Sequence, residues 1–396
     1  MVAIGMTSPR CGDRLETAIS LRAKTVGSAK SMASIEWKMA RVASFLLYYS
    51  GGLRIFEHLD RRRRSGPRCT VIVYHRIAWT PLGYRDVCVS PGRFRDHLEY
   101  MVRHGYAFLS LEQYQEYLAG RLALDRDSVV VSFDDGYRDN YTAAFPLLKE
   151  LGIPAAVFLC TGPLETGDPL WWDRIGDIVR GCRRAGVRST VADPDVPAPL
   201  AAVFARALVA SDRRASVEIS RLVDLVKGLP TPERERTVAT LERQAPLGDA
   251  SSPMLTWDMV REMHAAGIAF GAHSVTHPDF SRLAPEEARR EIAASKRSIE
   301  EQLGVPMTAF AYPYGKQGFF NASTIDVLRE NGFRWAYTTE NGVNDPHTSP
   351  YALRRDGMRD LPAYVLAVRL AGVFEHPLLG RLRSCIEGHR VTSKKR

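Results

Sequence analysis

Short apolar runs rich in β-branched residues recur along the chain at 69–74 (CTVIVY), 128–133 (SVVVSF), 155–160 (AAVFLC), 268–272 (IAFGA), 308–312 (TAFAY) and 334–338 (RWAYT). Runs this short and continuous read as strands buried on both faces. Between them, apolar residues return at three- and four-residue steps over 91–103, 111–119, 139–151, 256–266, 285–303 and 323–331, the spacing of amphipathic helices. Strand then helix, repeated, predicts an α/β domain with a parallel sheet or barrel.

The alternation lapses between 162 and 253, where four helix-like stretches (171–183, 201–209, 216–227 and 232–243) come without a convincing strand. A helical subdomain inserted into the α/β unit is the expectation. Over 35–59 the residues Trp37, Met39, Val42, Phe45, Leu46, Tyr49, Leu53 and Phe56 form a further helical stripe, broken at Gly51-Gly52. This helix either packs on the body or rests on a membrane surface. The expected division is a basic N-terminal arm at 1–68, a catalytic-type α/β domain at 69–361 with its insertion, and closing helices and a basic tail at 362–396.

Charge sharpens the picture of the arm. Residues 1–68 hold 13 Lys/Arg against 5 Asp/Glu, a net +8 of the +9 carried by all 396 residues, with Arg61 to Arg64 as the densest run. The body is therefore not expected to bind nucleic acid; the arm is either a solvated helix end or a contact for a polyanion such as an anionic membrane. At 396 residues the chain exceeds the roughly 250–300 that one core serves, so an enzyme-sized domain with sizeable appendages, or two domains, is expected. Six widely spaced cysteines, Cys11 and Cys385 among them, exclude a thiolate metal site or a dense disulfide framework. The first 25 residues carry no apolar core with a cleavage site and no apolar run approaches a membrane span, so a cytoplasmic protein, at most peripheral to the membrane, is expected.

Chemistry gathers at the ends of the predicted strands, where α/β folds place their sites. The run SVVVSF leads into Asp134-Asp135-Gly136. Neighbouring side chains diverge, so one carboxylate can face a cation and the other a reacting water; a helix N-cap followed by a Gly turn is the plain alternative. After the run at 268–272 come His273 and His277, four residues apart and on one face if the segment turns helically, the spacing of a metal pair. One carboxylate and two imidazoles make a site with open positions, and Zn²⁺ is the expected ion.

With these residues in view, the chain resembles the polysaccharide deacetylases with a NodB homology domain, carbohydrate esterase family 4, over roughly 69–160 and 254–356. The family's (T/S)FDDG motif stands as Ser132-Phe133-Asp134-Asp135-Gly136 and its H(S/T)xxH motif as His273-Ser274-Val275-Thr276-His277. The resemblance implies a distorted or incomplete (β/α) barrel, Asp134 as general base, and one divalent metal on Asp135, His273 and His277. The third motif, usually RxPY, reads Ala311-Tyr312-Pro313-Tyr314-Gly315. Tyr314 is thereby a candidate oxyanion donor through its N–H, Tyr312 and Pro313 candidate substrate contacts, and Arg354 or Arg355 the candidate replacement for the missing arginine. Arg355 is also counted among the substrate contacts.

The family's LxxH motif ends here in an aspartate, Asp356, which leaves its general acid unfilled. His75, closing the first strand, is the expected substitute, in a YHRI segment similar to that of deacetylases of exopolysaccharide pathways. Trp172, paired with Trp171, either stacks on a sugar ring or anchors the insertion. The implied activity is hydrolysis of acetyl groups from N-acetylated sugars of a polysaccharide or glycan precursor. A catalytically weakened carbohydrate-binding or membrane-associated scaffold is the alternative, motivated by the departures in the third and last motifs. A glycosidase is disfavoured, because its two carboxyl groups stand about 5–9.5 Å apart across a sugar ring and the histidines would have no task.

Overall fold

The computed structural model describes residues 41–64, 66–79, 87–188, 193, 195–245 and 252–373. Expectations that fall on Cys11, Cys385, the stretch 35–40 of the N-terminal helix and the tail at 392–396 lie outside the described residues.

Two N-terminal helices, α1 (residues 41–49) and α2 (Gly52–Arg63), meet at Gly51, whose φ of 78° provides the break read at the glycine pair. The strands and helices then run β1 (Cys69–Tyr74), β2 (Arg76–Ile77), β3 (Cys88–Val89), α3 (Pro91–Arg103), β4 (Ala107–Phe108), α4 (Leu111–Leu118) and β5 (Ser128–Asp135). A short π-helical turn (Asn140–Ala144) opens into α5 (Phe145–Leu151), followed by β6 (Ala155–Leu159). The insertion comprises α6 (Thr161–Thr166), α7 (Trp171–Arg184), α8 (Ala198–Val209), α9 (Asp212–Val226) and α10 (Thr231–Arg243). Alternation resumes with α11 (Trp257–Ala265), β7 (Ala269–Ala272), α12 (Pro285–Leu303), β8 (Ala309–Ala311), α13 (Ala322–Glu330), β9 (Trp335–Tyr337), β10 (Asp356–Gly357) and α14 (Ala363–Leu370).

All the pairings of the main sheet are parallel, in the order β10-β1-β5-β6-β7-β8-β9, with β4 added at the start of β5. Every residue of β1, β5 and β6 is buried, which is why these strands read as unbroken apolar runs. The segment 353–357 joins the two edges: Leu353 bridges Tyr337 on one side, while Asp356 and Gly357 pair with Ile72 and Val73 on the other. The sheet thus curls into a distorted (β/α) barrel, with the carboxyl ends of its strands on one face.

The insertion leaves and rejoins the barrel at that face. Its return is pinned where Arg138 N–H donates to Pro253 O at 2.7 Å and Leu255 N–H to Gly136 O at 2.9 Å, directly after the aspartate pair. Helix α7 carries a buried strip of Trp171, Trp172, Ile175, Ile178, Val179 and Cys182 that forms one continuous core with α8, α9, α10 and the barrel. At the opposite end of the sheet, Arg64 holds Asp127 through two contacts of 2.6 Å, and Arg68 reaches both Asp60 and Ala371 O. That clasp fixes α2 to the root of β5 and to the end of α14.

Candidate metal and deacetylase site

Asp134 and Asp135 end β5 with their carboxylates turned to different partners at one cavity. Asp134 faces Arg355, whose two terminal nitrogens lie 2.7 Å from its two oxygens, both side chains being buried. The barrel-closing segment brings this arginine inward, and its Nε donates to Thr338 O at 2.9 Å. Of the two candidates for the missing arginine, Arg355 is therefore the one that reaches Asp134. Its guanidinium is spent on Asp134 and is wholly buried, so the expected substrate contact by Arg355 is corrected to a contact with Asp134. Burial alone would push the Asp134 carboxyl up; the charges of Arg355 and His273 more than offset it, and the group is held below the usual carboxylate range.

Asp135 turns the other way, with φ at 76°. Its buried Oδ1 lies 3.4 Å from His273 Nε2 and 3.6 Å from His277 Nε2, and has no hydrogen-bond partner among the described residues. Two ligands about 2.0–2.1 Å from a tetrahedral ion stand about 3.3–3.4 Å apart. The spacing of the three atoms and the orphaned carboxylate oxygen fit a divalent cation with N and O donors.

The two histidines reach this point by a route that spacing did not predict. Residues 273–278 form no helix; Ser274 and His277 take the left-handed conformation, at φ of 68° and 56°, and the loop folds the rings to 5.0 Å between centroids. Glu291 on α12 braces the loop, accepting from the Val275 and Thr276 N–H groups at 2.8 and 2.9 Å and from the Thr276 hydroxyl at 2.7 Å. His273 Nδ1 is 2.7 Å from Ala311 O, which selects the tautomer that leaves the Nε2 lone pair toward Asp135. Burial of His277, together with the charges of His273, Lys227 and Arg234, keeps its imidazole neutral, well below the ordinary pKa of a histidine. Burial disfavours the charged form of His273 as well, but Asp134 and Asp135 outweigh it and its pKa is raised above the ordinary value.

A cavity of about 150 Å³ opens over these residues, lined by His75, Val87, Trp171, Trp172, Val223, Lys227, Tyr312, Tyr314 and Thr339 in addition to the two aspartates and two histidines. Tyr314 has a φ of 61° and puts its ring edge-on to His277 at 4.6 Å. The glycine after it is required: a Cβ on Gly315 would stand 2.6 Å from Thr339 Cγ2 and 2.7 Å from Thr339 N. His75 is in the wall, near enough to Asp134 to help hold its pKa down. Asp356 does not line the cavity; its Oδ1 accepts from Gly342 N–H at 3.0 Å. Trp172 lines the cavity edge-on to His277 at 4.6 Å, and its Nε1 donates to the Tyr137 hydroxyl at 2.7 Å, which ties α7 of the insertion to the barrel. Tyr312 is a wall residue, stacked on Phe320 and donating to Tyr351 O. Pro313 is buried and lies outside the cavity wall, a correction to its expected role as a substrate contact.

Val223 and Lys227, carried on and just after α9, escaped the sequence reading. Lys227 Nζ lies 3.9 Å above the Tyr314 ring. Nothing in their spacing marks them, since they reach the cavity only because the helical insertion folds back over the strand ends.

A family model for polysaccharide deacetylases matches residues 122–190 and 234–336, two segments that contain both aspartates, both histidines and the Pro-Tyr-Gly turn. The chain carries a NodB-type polysaccharide deacetylase domain. It is a deacetylase enzyme, and the unmatched stretch between the segments falls inside the helical insertion. A protein of Bacillus subtilis (strain 168) named as a polysaccharide deacetylase, YxkH, is 20% identical over 285 residues, 72% of this chain and 69% of that one. The poly-β-1,6-N-acetyl-D-glucosamine N-deacetylase of Escherichia coli (strain K12) is 31% identical over 84 residues, 21% of this chain and 12% of that protein. Among solved structures, the Streptococcus pyogenes deacetylase PplD in complex with acetate aligns with a TM-score of 0.49 and 21% identity, covering 76% of this chain and 98% of that one.

Proposed function

We propose that this deacetylase is metal-dependent and removes acetyl groups from N-acetylated sugars of a polysaccharide or glycan precursor, with Asp134 as general base. The observation that carries the reading is the convergence of Asp135, His273 and His277 beside an arginine-paired Asp134 in one cavity. Asp135 Oδ1 and the two Nε2 atoms would hold the cation, for which Zn²⁺ is the fitting ion. When bound, such an ion lowers the pKa of water from about 15.7 towards 7 and polarises a carbonyl oxygen.

Asp134, kept ionised by Arg355, removes the proton as water attacks the acetyl carbon. Both carboxylate oxygens contact the guanidinium, but each keeps a second lone pair for the incoming proton. The Tyr314 N–H is assigned to the oxyanion. Collapse breaks the C–N bond, and His75 delivers the proton that the sugar nitrogen needs to leave as an amine. His75 is preferred over Asp356 because it lines the cavity whereas Asp356 is turned to Gly342 N–H. With Arg355 at the base, the missing arginine of the third motif no longer favours a non-catalytic scaffold.

The test is acetate release from a panel of N-acetylated oligosaccharides, with metal content measured on the same samples. Wild type is expected to hold one divalent metal per chain and His277→Ala to lose it. Asp134→Asn should keep the metal and lose about 10²- to 10⁴-fold in turnover. Equal metal content in wild type and His277→Ala, or near-normal turnover by Asp134→Asn, overturns the assignment.

A further inference from the structure

The apolar stripe of the N-terminal helices points outward. On α1, Val42, Phe45, Leu46 and Tyr49 follow the i, i+3, i+4, i+7 spacing of one helix face, and they are 58%, 45%, 60% and 64% exposed. On α2, Ile55 and Leu59 add 64% and 48%. Six of the ten large hydrophobic residues exposed among the described residues thus fall within 18 positions, a clustering that scattered surface hydrophobics do not produce. The other sides of these helices are already used: Ser44 and Leu53 are buried and Tyr48 meets Tyr100 at a ring distance of 6.2 Å, while Phe45 and Tyr49, at the edge of the outward stripe, also meet Tyr364 at 5.6 and 6.2 Å. Together with the Arg64–Asp127 and Arg68–Asp60 contacts, this fixes the pair on the body with its apolar face turned away.

Exposed Arg41, Arg54, Arg61, Arg62 and Arg63 surround that face, and the acids on the same helices are Glu57, half-buried, and Asp60, engaged by Arg64 and Arg68. We propose that α1 and α2 form a docking face for an anionic lipid bilayer, the apolar stripe entering the interface and the arginines meeting the headgroups. An interfacial helix with an apolar face and a basic surround has this pattern. Charge selects the bilayer over the other occupants. A second copy would set arginines against arginines. The segments 1–40 and 374–396, at net +3 and +4 by sequence, are themselves repelled by the same surface. A nucleic acid has no use for six apolar side chains.

The experiment is co-sedimentation of the full chain with vesicles of phosphatidylcholine alone and with 30% phosphatidylglycerol, with acetate release from a soluble oligosaccharide followed in parallel. Wild type is expected to bind the anionic vesicles at low salt and to weaken as salt screens the charges. Phe45→Glu/Leu46→Glu should reduce binding more than about ten-fold. Arg54→Ser/Arg62→Ser/Arg63→Ser should reduce it about 100-fold, at roughly five-fold per charge near an anionic surface. All five positions are exposed and remote from the cavity, so unchanged acetate release certifies folding. The proposal is overturned if wild type ignores both vesicles, binds both equally, or is bound as well after either set of substitutions. A dimer that dissociates in Phe45→Glu/Leu46→Glu, without vesicle binding by wild type, would make a second copy the occupant instead.

Discussion

Asp135, Ser274, His277 and Tyr314 are the non-glycine residues that enter the left-handed region among the described residues, and all four belong to the site. Such conformations cost of order 1–3 kcal/mol each and persist only where the surroundings over-determine them. Here they turn the Asp135 carboxylate and the His277 ring toward one point and the Tyr314 ring onto His277. The motif residues themselves were legible in the sequence, but the backbone that makes them converge was not, because nothing in the residue types announces a positive φ at Asp or His. The choice between Arg354 and Arg355 was also beyond the sequence: adjacent residues on an extended segment face opposite sides, and only the closing of the barrel decides which one turns inward. Arg355 yields a prediction with a definite sign. Arg355 helps hold the buried Asp134 carboxyl below its ordinary pKa, and without it burial is opposed only by the charges of His273 and His75, so that pKa rises. Arg355→Leu is expected to move the acidic limb of the kcat/KM profile to higher pH, since the proposed base acts in its ionised form, and to lower stability by about 3–5 kcal/mol through the uncompensated charge. The double variant Arg355→Leu/Asp134→Asn should recover part of that stability. An unmoved acidic limb in the single variant would show that Arg355 does not set the charge state of the base.

At the scale of elements, the long parallel strands and most helices could be read directly, since continuous β-branched runs and three-to-four-residue periodicity each have one cheap structural solution. The two-residue strands β2, β3, β4 and β10 carry no such period and were invisible. So was the loop that holds the histidine pair, which would have put both rings on one face had it turned helically and does so without a helix. Its geometry depends instead on Glu291, sixteen residues after Val275, whose carboxylate takes three donors from the loop. This predicts a positioning role. Glu291→Ala should weaken metal affinity by about 10- to 100-fold, the usual worth of a residue supporting a ligand, while excess metal restores most of the turnover. Glu291→Gln, which keeps an acceptor oxygen, should fall between wild type and alanine. Unchanged metal affinity in both variants, measured by competition with a chelator, would leave Glu291 with only a structural part in the loop.

For the whole molecule, the division of labour follows the division of the sequence. The barrel contributes the two aspartates, the two histidines, His75 and Arg355, whereas Val223 and Lys227 reach the cavity from the insertion, within the stretch that the deacetylase family model does not match. The expected insertion is therefore more than a spacer: it supplies part of the wall over a chemical centre built elsewhere. Binding contacts of this kind act on ground state and transition state alike, so their loss raises KM and leaves kcat nearly unchanged. Lys227→Ala is expected to raise KM roughly ten-fold, the worth of one good hydrogen bond or ion contact, with kcat within about two-fold of wild type. Metal content should not fall, because Lys227 is no ligand and its positive charge, if anything, opposes a cation beside His277. Steady-state kinetics on a soluble N-acetylated oligosaccharide, with metal analysis of the same preparations, distinguishes the outcomes. A fall in kcat at unchanged KM would place Lys227 in the reaction itself, and a change in neither would mean that the substrate passes over the barrel without touching this part of the insertion.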